Sequence, residues 1–397
     1  MNSVFSKRLE GVSESATLKL NALVQTLKSQ GFDVINLTAG ESDFHVPEDS
    51  KQAVFEAVQA NRSKYAPVGG ISELRALVAH KTNLQQPLLA ETAPWKSENV
   101  LITNGGKQAL FNGFLALLNP GDEAVIPSPY WLSYPEMVKL CGGVPKIIPT
   151  KFENDFKLTP HELKNSLTEK TKILVLNSPS NPTGAVYSRQ EFVELEKILA
   201  QFPGVWIFSD EIYDRFCFTD EGFISFLHAC PLLRDRTVTI NGMSKSAAMT
   251  GWRVGWTVAE KGVTQAMMTI QGQSTSGINT LAQWGSVAAL KLPESTFQYQ
   301  VESFLKRRNL GVEILKKAGK IRFRVPEGAF YFFLGIGSYL REGEDSIGFS
   351  ERLLKEANLA VVPGAPFGAS DSIRLSFALE EHLLEEGCLR LLRYLKI

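Results

Sequence analysis

The sequence carries no excess charge of either sign, with Lys+Arg and Asp+Glu both at 42 in 397 residues. That balance leaves no electrostatic footprint for nucleic acid, and no basic helix or arm supplies one locally. Cysteine is scarce. Cys141, Cys217, Cys230 and Cys388 are scattered without a Cys-x-x-Cys pair, so they read as reduced, mostly structural thiols of a cytoplasmic protein. The five histidines are equally dispersed, which argues against a zinc site. No uninterrupted apolar run is long enough to span a bilayer. The stretch Met1 to Glu10 mixes charges and lacks the apolar core of a secretory signal. Internal repeats and low-complexity segments are also missing. What is present is 44% apolar and 21% charged residues, as in globular chains. The length suggests two or three domains, or one large α/β domain with an attachment.

One stretch organises the rest: Asn241-Gly242-Met243-Ser244-Lys245-Ser246, running on to Gly251-Trp252-Arg253-Val254-Gly255. It lies between two strand-like runs, Thr237 to Ile240 and Val254 to Val258. A lysine just past a buried strand is easily desolvated, which favours the neutral amine that attacks a carbonyl to form a Schiff base. Ser244 and Arg253 offer a hydroxyl and a planar guanidinium to a phosphate dianion. Pyridoxal phosphate held by Lys245 and Arg253 satisfies this chemistry; a solvated turn with ordinary charges is the competing reading.

Taken in order, a helix is expected over Thr17 to Gln30 and a strand over Asp33 to Leu37, leading into a loop at Gly40. A second helix, Pro47 to Ala60, precedes the loop that carries Tyr65. The strand Asn99 to Thr103, the turn Asn104-Gly105-Gly106-Lys107 and a helix from Gln108 to Leu118 form a unit that can turn backbone N–H groups toward phosphate. It has neither the Walker nor the Gly-x-Gly-x-x-Gly spacing. An aromatic cluster, Tyr130-Trp131 to Tyr134, follows another short strand and can offer a flat face to a heteroaromatic ring, or fill the core. The apolar runs Ile173 to Leu176 and Val205 to Phe208 read as strands covered on both faces. They end in Asn177 to Gly184 and in Ser209-Asp210-Glu211-Ile212-Tyr213, where ligands bind in open α/β sheets. Asp210 there is costly to bury without a cation. From Leu290 the pattern changes to a compact α+β unit: a helix over Pro293 to Gly319, a strand pair from Arg322 to Phe332, a helix from Ser346 to Glu356, strands Leu359 to Val362 and Ser372 to Phe377, and a helix from Leu383 to Leu395.

In this order the motifs resemble those of class I aminotransferases of the pyridoxal-phosphate fold type I group, in the aspartate aminotransferase family. The resemblance spans nearly the whole chain, from Ser15-Ala16-Thr17 through Gly105-Gly106-Lys107-Gln108, Asn181-Pro182-Thr183-Gly184 and Ser244-Lys245 to Ile373-Arg374-Leu375-Ser376. It implies a large α/β domain, residues 47–292, with a mostly parallel sheet flanked by helices. A smaller α+β domain would comprise residues 293–397 and take in part of an N-terminal segment, residues 1–46. It implies that Lys245 binds the cofactor and moves a proton, and that Asp210 pairs with the pyridine nitrogen. Asn181 and Tyr213 would hydrogen-bond the ring oxygen, and Trp131 would stack on the ring. Gly105, Gly106, Lys107, Ser244 and Arg253 would hold the phosphate, with Tyr65 reaching in from a partner subunit, which implies a homodimer with shared sites. Arg374 would grip the substrate α-carboxylate with Gly40 closing over it.

The sequence departs from the pattern where the family's second carboxylate-binding arginine is sought, near Gln271 to Ser276. A subgroup with Gly-Gly-Lys-Gln in the phosphate turn uses that lysine instead, here Lys107 with Thr17 nearby. Ser13-Glu14 stands where a basic residue and proline are common, Ala247 replaces an aromatic, and Ser42 replaces a proline. The expected activity is transfer of an amino group from an acidic amino acid, aspartate, to 2-oxoglutarate, with bulky acids such as prephenate poorer acceptors. Other specificities (aromatic, alanine or prephenate) and a carbon–sulfur lyase of the same fold are alternatives. A non-catalytic regulator would need an N-terminal DNA-binding domain, for which the start of the resemblance at Ser15 leaves no room.

Overall fold

The computed structural model describes residues 5–13 and 16–396, leaving aside the side chains of residues 16–19 and 21. A first short strand, β1 (Ile35–Asn36), is followed by seven that form one sheet: β2 (Val100–Asn104), β3 (Glu123–Ser128), β4 (Val144–Pro149), β5 (Thr171–Asn177), β6 (Trp206–Asp210), β7 (Thr237–Gly242) and β8 (Val254–Val258). Their order across the sheet is β2-β8-β7-β6-β5-β3-β4. Only β8 runs against its neighbours. This is the mostly parallel α/β sheet that the apolar runs predict. Its central strands are covered on both faces: one core joins Leu174, Leu176 and Ile207 to the helices Ser72–Gln85, Arg189–Leu199 and Thr280–Lys291, and another joins Val175, Phe208 and Ile240 to the helix Gly105–Leu117. Two of the flanking helices begin at reciprocal caps, Thr159 with Glu162 and Ser188 with Glu191, which satisfy N–H groups that the first turn leaves free.

The C-terminal part adds β9 (Tyr331–Gly335), β10 (Leu359–Ala360), β11 (Val362–Pro363) and β12 (Ser372–Ser376). β12 pairs antiparallel with both β9 and β11, while β1 pairs parallel with β10. Ile35 and Leu37 share a core with Phe330, Phe332 and Leu375. Residues 35–37 therefore fold against the end of the chain, whereas Gly11 and Ser13 meet Lys139 and Glu136 on the helix Ser133–Leu140 of the large unit. The expected helix from Pro293 splits into a 3-10 turn, Glu294–Phe297, and a helix, Gln298–Leu315. The expected strand pair from Arg322 is reduced to β9 and an isolated bridge between Arg322 and Gly335, because Pro326 and Gly328 interrupt the first partner. The helix expected from Gln108 starts at Gly105. Among the described residues no helix is long and apolar enough to cross a membrane, and no cluster of His, Cys, Asp and Glu could hold a metal.

Candidate active site

The pairing register brings one set of strand ends to a common edge. Asn177 pairs with Asp210, Asp210 with Ile240, Gly242 with Gly255 and Asn104 with Val254. The loops that follow β2, β3, β5, β6 and β7 converge on a cavity of about 310 Å3. Its lining includes Gly40, Gly106, Lys107, Trp131, Asn181, Asp210, Tyr213, Ser244, Lys245, Arg253 and Arg374. Residues far apart in sequence are thus gathered at the carboxyl end of the sheet, where open α/β folds bind ligands.

Lys245 sits on the short helical turn Met243–Ser246 that directly follows β7. It is half-buried, and its Nζ donates to the Gly40 carbonyl oxygen. Burial pulls its amine down to about 8, against the opposing pull of Glu41. The neutral, nucleophilic amine is therefore far more populated near neutral pH than for an ordinary lysine, although the protonated form still predominates at pH 7. Asp210 ends β6 and is 5% exposed. Burial pushes its carboxyl up to about 6, although hydrogen bonds from the Tyr134 hydroxyl at 2.6 Å and the Ile212 N–H at 3.2 Å favour its charge. Among the described residues no cationic side chain forms an ion pair with it. A buried carboxylate held by donors but given no cation fits a ligand that brings one, such as a protonated ring nitrogen.

The opposite end of the cavity is built to hold an anion. The helix Gly105–Leu117 starts directly after β2, and Asn104 at its N-cap makes no side-chain cap bond, so the N–H groups of a first turn that includes the cavity-lining Gly106 and Lys107 are left uncapped. Two glycines let that helix end come down on the sheet. A Cβ on Gly255 would stand 2.5 Å from both Gly105 C and Gly106 N, and one on Gly105 would stand 2.6 Å from an Arg253 nitrogen. Arg253 has left-handed backbone (φ 58) and is steadied by the Thr250 and Asn104 carbonyls at 2.9 and 3.3 Å. Ser244 is buried one residue before the lysine. Free helix N–H groups, a hydroxyl and a guanidinium make a donor set that matches the phosphate of pyridoxal phosphate, as Lys245 and Asp210 match its aldehyde and ring nitrogen.

Arg374 comes from β12 and is 3% exposed. Its Nη1 donates to Asn181 Oδ1 at 2.8 Å and its Nη2 to the Thr38 carbonyl at 3.0 Å, while Nε has no partner. Two of five N–H donors are used, which leaves three for a carboxylate. Among the described residues no acid pairs with Arg374; burial lowers its affinity for the proton, and the neighbouring Tyr331 and Tyr213 oppose that. Trp131 lines the cavity with its ring edge-on to Tyr134 at 5.3 Å, and Lys107 Nζ stands 5.1 Å from the Trp131 ring centre. Tyr213 is buried, with its hydroxyl 2.9 Å from that of Tyr331. One expected residue lies elsewhere. Tyr65 is 96% exposed and lines a separate surface cleft with Thr275 to Leu281. Thr17 lies in the helix Ala16–Ser29, but its side chain is outside the described set.

Sequence reasoning left out three contributors. Tyr134 was within the aromatic cluster but carried no role; a buried Asp210 signals the need for a donor without saying which. Tyr331 reaches the cavity only because β9 pairs with β12. Glu211, 2% exposed, accepts from Ser209 Oγ, Ser225 Oγ and the Phe226 N–H, and so fixes the loop that aims Asp210.

A family model described as aminotransferase class I and II matches residues 33–391. The chain is 41% identical over 395 residues to the aspartate/prephenate aminotransferase of Cereibacter sphaeroides, covering 97% of each chain. It superposes on the aspartate aminotransferase of Thermus thermophilus with maleate at a TM-score of 0.92 and 38% identity, covering 99% of this chain and 100% of that one. The aspartate aminotransferase of Thermotoga maritima gives 0.90 and 40%, with the same coverage. The chain therefore belongs to the class I and II aminotransferase family and is a pyridoxal-phosphate-dependent transaminase.

Proposed function

We propose that this transaminase transfers the amino group of an acidic amino acid, L-aspartate, to 2-oxoglutarate by alternate binding of the two substrates. The observation that carries the reading is one cavity in which, besides Lys245 and Arg253, two more cations form no ion pair among the described residues, Arg374 at its buried wall and Lys107 at its exposed side. A dicarboxylate needs two such charges, and the relatives named above as aspartate aminotransferases accord with it.

Pyridoxal phosphate, when bound, supplies an electron sink for charge that develops at the substrate Cα. In our reading the chain does the rest. Lys245 holds the cofactor and its neutral amine takes the proton from the substrate Cα. Asp210, braced by Tyr134, keeps the ring nitrogen protonated. Asn181 and Tyr213 hydrogen-bond the ring oxygen, and Trp131 covers one ring face. Gly105, Gly106, Ser244 and Arg253 bind the phosphate, completed by Tyr65 of the partner subunit in a homodimer. Arg374 clamps the α-carboxylate while the Gly40 backbone closes over it. Lys107, with Thr17, meets the distal carboxylate. The units 47–292 and 1–46 with 293–397 would carry that closure, in a cytoplasmic enzyme.

A second acceptor, prephenate, is favoured by the names of the curated relatives and by a roomy annex of about 450 Å3 that shares Lys107 and Arg253 with the site. Ser13 and Glu136 also line that annex, with the Ser13 N–H 2.9 Å from Glu136 Oε2, so it gains no cation there for a bulky acid. We therefore rank prephenate below 2-oxoglutarate. The test is the half-reaction of the holoenzyme, followed by its visible absorbance, with aspartate and with alanine. Lys107→Ala should lower kcat/KM for aspartate by about 2 kcal/mol more than for alanine, the worth of a charged hydrogen bond. Equal losses on the two amino acids would remove Lys107 from the distal carboxylate.

A further inference from the structure

A second cavity, of about 400 Å3, shares no lining residue with the substrate site yet abuts the same lysine turn: Asn241 and Ser246, on either side of Lys245 in sequence, both line it. Val78, Leu290 and Phe297 give it apolar walls. Two cations also face it, and a single carboxylate holds both. Lys81 Nζ is 2.6 Å from Glu294 Oε1, and Arg215 Nη2 is 2.8 Å from Glu294 Oε2. The Glu294 side chain is 66% exposed while that of Arg215 is 13% exposed, so the carboxylate can swing into water and the guanidinium cannot. Thr239 on β7 lines the same cavity at 4% exposure, and its Oγ1 has no hydrogen-bond partner. A buried hydroxyl left unpaired is unfavourable by about 1–3 kcal/mol. Apolar walls with a few convergent polar groups, one of them unused, are the makings of a small-molecule site.

We infer that this cavity binds a small organic carboxylate with a ring-sized apolar body, whose carboxylate displaces Glu294 from Lys81 and Arg215 and whose body packs between Val78 and Phe297. The site is tied to the catalytic turn. Arg215 Nη1 donates to the Ser246 carbonyl, one residue past Lys245. A ligand that takes Arg215 from Glu294 changes the load on the guanidinium that braces that turn, so occupancy is felt at Lys245. Any free energy by which the ligand alters amino-acid binding must be matched by the reciprocal effect of the amino acid on the ligand.

The experiment is calorimetric titration of the holoenzyme with 3-phenylpropanoate, with succinate at saturation to occupy the substrate cavity. One equivalent per subunit is expected to bind. Glu294→Gln, which leaves Lys81 and Arg215 without their carboxylate, should tighten binding by about three- to tenfold, and Lys81→Gln should weaken it by a similar factor. Val78→Trp should abolish it by filling the cavity. In the wild-type holoenzyme the probe should also shift the pH midpoint of the visible absorbance, and in Val78→Trp it should not. The exposed Glu294 and the partly exposed Lys81 keep the test decisive if Val78→Trp fails to fold. Absence of binding under succinate, or affinities indifferent to both Glu294→Gln and Lys81→Gln, overturns the inference.

Discussion

At the scale of single residues the site depends on one carboxylate kept out of water. Among the described residues no cationic side chain forms an ion pair with Asp210, and Tyr134 is the side chain that donates to it. Tyr134→Phe removes a charge-assisted hydrogen bond and should lower kcat/KM by about 1.5–3 kcal/mol for every amino acid tested. It should also raise the Asp210 pKa, since that bond favours the ionised form, and this is checked by a shift to higher pH of the acid limb of the rate profile. Unchanged rates and an unchanged limb would leave Tyr134 without a positioning role. The same carboxylate makes a stability prediction for the cofactor-free protein. Its folded pKa of about 6 lies above the ordinary value of 3.8. The folded state therefore binds the proton more tightly, and the stability it contributes is present below about pH 4 and lost as pH rises through about 6. Asp210→Asn should then make the cofactor-free protein more stable than wild type at pH 8, by at most about 3 kcal/mol, with no difference near pH 4. Denaturant titrations at the two pH values measure this, and the same variant should lose activity by orders of magnitude. Asp210 was legible in the sequence because an acid after four apolar residues is costly to bury. Tyr134 was not, because its partner lies 76 residues away and only the fold joins them.

At the scale of elements, the order strand, polar loop, helix was legible, because apolar runs that fill a sheet covered on both faces end abruptly at Asn177 and Asp210. The small unit was less legible. Its strands are two to five residues long, and Pro326 and Gly328 blur the expected partner of β9. In the sequence the Gly-Gly stretch reads as a turn before the helix, whereas its glycines are the first helical residues, so their N–H groups are those that a helix start leaves free. What places that helix start is Gly255 on the neighbouring β8, a contact no local pattern announces. Gly255→Ala would drive a methyl into backbone at 2.5 Å, which cannot move aside as a flexible side chain can. It should weaken pyridoxal phosphate binding by at least about tenfold, a loss of about 1.4 kcal/mol, through displacement of the anion-binding end. Gly251→Ala, where an added Cβ meets nothing within 4 Å, should leave cofactor affinity unchanged. Dissociation constants measured on the two refolded or cofactor-stripped variants decide it; equal affinities would show that the glycine contact does not set the helix position.

At the scale of the molecule, one expected site residue lies outside the cavity of its own chain. Tyr65 is 96% exposed, and the neighbouring helix Glu48–Gln59 exposes Phe55 at 57% and Val58 at 51%. Exposed apolar side chains next to a tyrosine proposed to serve the cofactor accord with a second subunit that covers the ones and receives the other. If the proposed homodimer shares its sites in this way, two crippled chains should repair each other. Lys245→Ala lacks the cofactor-binding amine, while Tyr65→Ala weakens the phosphate grip in the partner. In a mixed dimer both defects fall in one site, and the other site has the lysine of one chain and the tyrosine of the other intact. Random mixing makes half of the dimers mixed, with one working site in two, so about a quarter of wild-type activity should appear. The assay is run on co-refolded chains at a cofactor concentration where each parent is silent. Activity that never exceeds the sum of the parents would mean that Tyr65 serves no site across the interface, even if light scattering shows the protein to be a dimer.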